Sequence, residues 1–121
     1  MNTDINYRKI WDLYTQSWRG NKLSERLELF KKALDPECCY IDPLTSITGW
    51  DSLGTYMEEF HKQVPGGYFE TIDFLSHHNF SVARWNMKSL DDAKIGEGYS
   101  VGEYNNAGKL TKMTGFYKLP K

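Results

Sequence analysis

The pattern of hydrophobic residues changes once along this chain of 121 residues, at Pro65-Gly66-Gly67. Before that segment, apolar residues recur every three or four positions, which is the spacing of amphipathic helices. After it, runs of about ten residues alternate with short turn sequences, which is typical of strands joined by hairpins. A chain of this length forms a single domain, residues 1–121. The order therefore predicts an α+β protein with its helices gathered on one face of a curved sheet.

Three helices are expected before the change of pattern. The first ends near Gly20, the second has Asn21 or Ser24 as its cap and stops at Asp35-Pro36, and the third follows Gly49. Their apolar stripes consist of Tyr7, Ile10, Trp11, Tyr14 and Trp18, then Leu23, Leu27, Phe30 and Leu34, and finally Leu53, Tyr56, Met57, Phe60 and Val64.

Five strands are expected. A short one at 37–42 is closed by Pro43 and suits a sheet edge, and a loop follows it to Gly49. Four longer antiparallel strands are expected at 68–76, 80–90, 94–104 and 109–119. In the second long strand, alternation places Arg84 and Asn86 on one face and Trp85 on the other.

Composition limits the classes of function. Aromatic residues make up 15% of the chain, which favours a lined cavity or an interface. The net charge of -1 without a basic stripe argues against a nucleic-acid partner, and no apolar run is long enough for a membrane span. We expect a soluble, cytoplasmic protein.

The adjacent Cys38 and Cys39 are expected as free thiols in a strand, because a disulfide between neighbours is strained. His61, His77 and His78 lack a further ligand at a recognisable spacing, so no metal site is expected.

Several segments resemble the SnoaL-like branch of the nuclear transport factor 2 (NTF2) superfamily, which also contains ketosteroid isomerase and limonene epoxide hydrolase. They are Tyr40-x-Asp42-Pro43 with Gly49, Phe60-His61 with Pro65-Gly66, Arg84-Trp85, residues 98–103, Gly108-Lys109 and Gly115-Phe116-Tyr117. The resemblance spans nearly the whole chain. It implies a cone-shaped fold with a curved mixed or antiparallel sheet, and a pocket with Asp42 at its mouth. The family's functions range from isomerases and cyclases to proteins without chemistry, so fold does not settle function.

The resemblance implies three catalytic residues. Asp42 stands where the ketosteroid isomerases carry their general base, and the alternative is that it only forms the turn before Pro43. Tyr14, or Trp18 in its place, would donate to the oxyanion, and the alternative is that Tyr14 only packs the first helix. Ser100 replaces an Asp that the isomerases use as a second donor.

The resemblance also suggests residues that line the pocket. Arg84 and Asn86 match two positions of the epoxide hydrolase triad, but the carboxylate that activates water is absent, so epoxide hydrolysis is not expected. Arg84 could instead pair with Asp42 or Glu103. His78 is either an acid/base group inside the cone or a turn residue near its rim. The ligand-binding residues expected in full are Trp18, Tyr40, Phe60, His78, Arg84, Asn86 and Phe116.

Two functions stay open from the sequence. The first is a cofactor-free proton-transfer enzyme, of the isomerase or polyketide cyclase type, that acts on a small hydrophobic carbonyl compound. The second is a non-catalytic domain that binds an apolar ligand or forms a homodimer through the outer face of the sheet. Residues expected on that outer face are Trp85, Met87, Tyr99 and Tyr117, because aromatic residues and Met are enriched at interface cores.

Overall fold

The structure is a computed structural model that describes residues 5–19 and 22–119. Three helices and six strands follow one another in the order α-α-β-β-α-β-β-β-β. Their bounds are α1 Tyr7–Ser17, α2 Leu23–Ala33, β1 Leu34–Asp42, β2 Thr45–Thr48, α3 Trp50–Gln63, β3 Tyr68–His77, β4 Phe80–Lys88, β5 Lys94–Tyr104 and β6 Leu110–Phe116. The predicted α+β class is confirmed, with one strand more than expected.

Local hydrogen bonds explain where the helices begin. The Asn6 side chain accepts from the Lys9 backbone N–H at 3.0 Å and caps α1. At α2 the cap is Lys22, whose N–H donates to Glu25 at 3.1 Å. The expected cap at Ser24 is wrong, because Ser24 lies inside the helix. The other expected cap, Asn21, and the expected helix end at Gly20 lie outside the described residues.

The sheet has the strand order β2-β1-β6-β5-β4-β3. Strand β1 is parallel to β6, and every other neighbouring pair is antiparallel. The prediction that β1 forms a sheet edge is therefore wrong, because the expected loop before Gly49 contains the edge strand β2. A tight turn allows this pairing, since the Asp42 carboxylate accepts from the backbone N–H groups of Leu44 and Thr45.

The core lies between the helices and the inner face of the sheet. Its largest fully buried side chains include Trp11, Phe30, Leu53 and Met57 from the helices. The predicted alternation along β4 is observed, and the inner face is the one that carries Trp85, which is only 8% exposed. The expectation that Trp85 and Met87 lie on the outer face is therefore wrong, because Met87 follows Trp85 by two positions and shares its face.

Two further features concern the chain as a whole. The longest helix, α3, has 14 residues, and within residues 5–19 and 22–119 none of the helices has the length and hydropathy of a transmembrane span. Cys38 and Cys39 are both free, as adjacent strand residues pointing to opposite faces should be.

Candidate active site around Asp42

Asp42 is the last residue of β1 and is only 8% exposed. One carboxylate oxygen, Oδ2, accepts from the hydroxyls of Tyr40 at 2.6 Å and Tyr56 at 2.7 Å. The other, Oδ1, accepts from the backbone N–H groups of Leu44 at 2.8 Å and Thr45 at 3.1 Å. Since an ionised carboxylate is purely an acceptor, these donors satisfy the buried side chain without a cation.

The phenols reach Asp42 from three parts of the chain. Tyr40 stands two positions earlier in β1 and therefore shares the inner face with Asp42. Tyr56 comes from the middle of α3, and its ring centroid lies 5.5 Å from that of Tyr40. Tyr117 follows β6, and Asp42 and Tyr56 are near enough to its hydroxyl to influence its pKa. A carboxylate at the centre of three phenols is the main polar feature of the inner face.

The three phenols are held in their protonated form. Burial raises the pKa of Tyr40 and of Tyr56, and the hydrogen bond that each donates to Asp42 raises it further. Burial and the nearby Asp42 charge likewise raise the pKa of Tyr117. At neutral pH the cluster therefore combines one acceptor, Asp42, with hydroxyl groups that can donate.

Aromatic rings surround this polar cluster. The Trp18 ring lies between 5.4 and 6.1 Å from the rings of Tyr40, Tyr56, Phe60 and Phe69. Three of the expected ligand-binding residues, Trp18, Tyr40 and Phe60, are thus gathered near Asp42. On the other side, the Trp85 ring lies 5.1 Å from that of Phe69 and 6.2 Å from that of Tyr117.

Ser100 lies across the sheet from Asp42, with Gly115 between them. Ser100 pairs with Gly115 in the β5–β6 ladder, and its Oγ accepts from the Trp85 indole N–H at 3.0 Å. A Cβ atom on Gly115 would lie 3.6 Å from the Asp42 Cβ and 3.8 Å from the Ser100 Oγ. The absence of a side chain at Gly115 therefore leaves room beside the carboxylate.

Tyr14 is buried behind this cluster. It is 4% exposed, its ring lies 5.0 Å from that of Trp11, and Trp18 is the hydrogen-bond partner of its hydroxyl. Burial raises the pKa of Tyr14, and the more distant Asp42 charge adds to the effect. Of the two residues expected at the oxyanion position, Trp18 is the one whose ring contacts the phenols around Asp42.

Three of the expected pocket residues lie on the outer face. Arg84 pairs with Asp73 at 3.1 Å, and Asn86 stands opposite Glu97 in the β4–β5 ladder. Phe116 is 55% exposed. Their placement inside a pocket was wrong, as was the pairing of Arg84 with Asp42 or Glu103. The reason is that the large Trp85 ring occupies the inner face, so its neighbours in β4 must point outward.

His78 lies at the turn between β3 and β4, with φ 52, and its Nδ1 is 3.1 Å from the Nδ1 of His77. Of the two alternatives for His78, the structure therefore shows the turn residue. In the described part of the chain, no group of three or more His, Cys, Asp or Glu side chains could hold a metal ion.

Tyr56 and Tyr117 are members of the cluster that sequence reasoning did not identify. Tyr56 was assigned to the apolar stripe of α3, and Tyr117 was expected on the outer face. One signal was available for Tyr56, since a tyrosine on a buried stripe needs a partner for its hydroxyl.

Two surface clefts lie near Trp50 and Pro36, at the start of α3, and neither is lined by Asp42.

Comparison with known proteins shows which solved structures share this fold. No protein-family model matches the sequence, and no curated protein matches it. A SnoaL-like family protein from Agrobacterium tumefaciens str. C58, described as a candidate isomerase, is 24% identical with a TM-score of 0.84, and the match covers 93% of this chain and 97% of that one. A SnoaL-like protein of unknown function from Burkholderia thailandensis E264 is 14% identical, with a TM-score of 0.74 and coverages of 98% and 99%.

A third solved structure, a candidate SnoaL-like polyketide cyclase from Jannaschia sp. CCS1, is 8% identical with a TM-score of 0.76, and the match covers 96% of this chain and 89% of that one. All three identities are low, so the likeness concerns the arrangement of helices and strands and leaves the chemistry open. The chain therefore has the same fold as these SnoaL-like, NTF2-like proteins.

Proposed function

We propose that this chain binds a small hydrophobic carbonyl compound beside Asp42 and that Asp42 removes a proton from the carbon next to the carbonyl. The observation that carries the proposal is the carboxylate itself, which is 8% exposed and surrounded by phenol donors and aromatic rings. A base and hydrogen-bond donors within one apolar site are the groups that such a proton transfer needs.

The reaction can be written with this chain's own groups. The compound displaces one phenol from Oδ2 of Asp42, and that oxygen then accepts the proton. The C–H bond breaks, an O–H bond forms on Asp42, and the electron pair moves onto the carbonyl oxygen, which becomes an enolate. Return of the proton to another carbon gives an isomer. Alternatively, the enolate carbon attacks a second carbonyl and closes a ring, the C=O π electrons move to that oxygen, and the oxygen takes up the proton from Asp42.

Two similar structures agree with this reaction class. One is described as a candidate isomerase and another as a candidate polyketide cyclase. Both reactions are compatible with an enolate formed by a carboxylate base, and neither requires a cofactor from this chain. The descriptions of these two proteins are compatible with the proposed class of chemistry, and screening would identify the compound.

Exchange of hydrogen for deuterium tests the proposal without knowledge of the product. The protein is incubated in D2O with a panel of cyclic and aromatic ketones, and deuterium at the α-carbon is measured by mass spectrometry. Asp42→Asn should lower the exchange rate by at least about a hundredfold, because general base catalysis typically contributes that much. Asp73→Asn, which changes an exposed carboxylate on the outer face, is the matched control. Equal exchange by Asp42→Asn and wild type would exclude Asp42 as the base.

We also propose that the protein forms a homodimer through the outer face of the sheet. The observation is a group of exposed apolar side chains there, including Leu75 at 71%, Tyr99 at 53% and Phe116 at 55%. Exposed apolar side chains rimmed by polar groups, here the Arg84–Asp73 pair beside Tyr99, are characteristic of an interface. Light scattering in solution measures the mass directly, and a monomer at all concentrations would rule the interface out.

A further inference from the structure

The phenols around Asp42 differ in how far a bound molecule could reach them. Tyr56 and Tyr117 are partly exposed, whereas the side chain of Tyr14 is only 4% exposed. The rings of Trp18 and Tyr56 both pack against one part of the Tyr40 ring, with centroid distances of 5.6 and 5.5 Å. Tyr14 belongs to the buried core, where its ring lies 5.0 Å from that of Trp11.

We propose that Tyr56 and Tyr117, and not Tyr14, donate the hydrogen bonds that stabilise the negatively charged oxygen of the bound compound. The inference rests on the proposed function for the place where the compound binds. Tyr56 belongs to α3 and Tyr117 follows β6, so the two donors approach Asp42 from different elements of the fold.

The movement of charge explains why these two donors suit the reaction. Before the reaction the negative charge is on Asp42, and the Tyr56 hydroxyl donates to its Oδ2 at 2.7 Å. When Asp42 takes up the proton it becomes neutral, and the negative charge appears on the oxygen of the compound. A phenol has one O–H to donate, and hydrogen bonds to charged oxygens are the stronger ones. A small rotation of the Tyr56 and Tyr117 hydroxyls can therefore redirect their O–H groups from Asp42 to the charged oxygen of the compound.

The other donors on the inner face are less suitable. The Tyr14 side chain is 4% exposed within the core, so a ligand would have to displace core side chains to reach its hydroxyl. The Ser100 hydroxyl lies beyond Gly115 and is tied to the Trp85 indole at 3.0 Å. Beside the carboxylate, Tyr56 and Tyr117 accompany Tyr40 as the phenols near Asp42.

Binding of 4-nitrophenolate measures this donation in a ligand of known charge. The experiment uses Asp42→Asn, because the neutral amide has the charge of a protonated Asp42 and does not repel the phenolate. Absorbance of the bound phenolate is titrated in Asp42→Asn and in three double variants that add Tyr56→Phe, Tyr117→Phe or Tyr14→Phe. Loss of either donor should weaken binding by about tenfold or more, since each bond goes to a charged oxygen. The matched control Tyr14→Phe should change affinity by less than about threefold.

Three results would overturn the inference. These are no binding to a folded Asp42→Asn protein, equal affinity in all the double variants, and a loss confined to Tyr14→Phe. The result is independent of the exchange test, because Asp42→Asn can abolish exchange whether or not the phenols bind the phenolate. If exchange is lost but the two Phe variants bind normally, Asp42 remains the base and this inference fails.

A second measurement avoids the Asp42→Asn background. The infrared carbonyl stretch of acetophenone is recorded with the wild-type protein and with the Tyr56→Phe and Tyr117→Phe variants. Hydrogen bonds from the two phenols should lower the stretching frequency in the wild type, and each variant should restore part of the shift. A frequency that is the same in the wild type and in both variants would contradict the inference.

Discussion

The tyrosines of the interior each bring a hydroxyl into an apolar environment. Tyr40 and Tyr56 donate to Asp42, and the Tyr104 hydroxyl pairs with that of Ser81 at 2.8 Å. A buried hydroxyl without a partner would destabilise the fold, whereas a paired one fixes the ring's position. Ionisation of a buried tyrosine is unfavourable, because the phenolate would lose its hydration. The folded state therefore favours the neutral phenols.

This preference makes the fold sensitive to alkaline pH. Burial raises the pKa of Tyr104 to about 12 from its ordinary value of 10.0. Because the unfolded chain loses the proton first, stability is full below pH 10 and falls as the pH rises towards 12. The contribution of Tyr104 is about 2 to 3 kcal/mol, and Tyr40 and Tyr56 act in the same direction. Urea unfolding at several pH values should show the decline.

The control for this prediction is Tyr104→Phe, which removes the titrating group and keeps the ring. Its stability is expected to be lower at neutral pH, since Ser81 loses a partner. It should also decline less steeply above pH 10. Parallel curves for the variant and the wild type would show that Tyr104 does not contribute to the alkaline sensitivity.

At the scale of the elements, β4 and β5 are fitted together by a large residue opposite a glycine. Trp85 pairs with Gly98 across the two strands, and its indole reaches Ser100 on β5. A Cβ on Gly98 would come within 2.5 Å of both the Trp85 ring and the Phe116 carbonyl oxygen. The glycine therefore provides the space in which the Trp85 ring lies on the inner face.

Two glycine substitutions separate packing from access to the site. Gly98→Ala should destabilise the protein by about 1 to 3 kcal/mol, because the Trp85 ring or the strand must shift. Gly115→Ala should be tolerated, since its nearest neighbours would be at ordinary contact distance of 3.6 Å or more. Thermal unfolding compares the two variants. In the exchange assay Gly115→Ala should slow the reaction, because the added methyl group occupies space beside Asp42. Equal melting temperatures for the two variants would contradict the packing argument.

At the scale of the whole molecule, the two faces of the sheet differ in what covers them. The helices cover the inner face, whereas the outer face carries apolar side chains in adjoining strands. Val82 pairs with Leu75 on one side and with Val101 on the other, and Tyr99 pairs with Phe116. These pairs form neighbouring rows across four strands. The arrangement is the basis of the proposed homodimer.

A charge at the centre of this face should separate the two copies. We expect the wild type to have the mass of a dimer in light scattering and Tyr99→Lys to have that of a monomer, because a buried unpaired charge is costly. Leu44→Lys is the matched control, since Leu44 is 66% exposed but lies in the turn between β1 and β2. A Tyr99→Lys dimer as stable as the wild type would place the interface elsewhere.

The amino-acid sequence by itself determined the helices, the hairpins and their order. Each stripe of apolar residues and each turn sequence is a local pattern that is visible within a few residues. The same is true of Tyr40 and Asp42, whose spacing of two places them on one face. Periodicity could not identify β2 or the pairing of β1 with β6, because both depend on segments that are distant in the chain.

Only the tertiary structure decided which face of the sheet became the inside. Alternation divides β4 into two faces, but the Trp85 ring against Gly98 determines that Arg84 and Asn86 point outward. The tertiary structure also brought Tyr56, from α3, and Tyr117, which follows β6, close to Asp42. These contacts depend on the size and reach of side chains that are far apart in sequence. For that reason the sequence could identify Asp42 as a candidate, whereas its hydrogen-bond donors emerged from the packing.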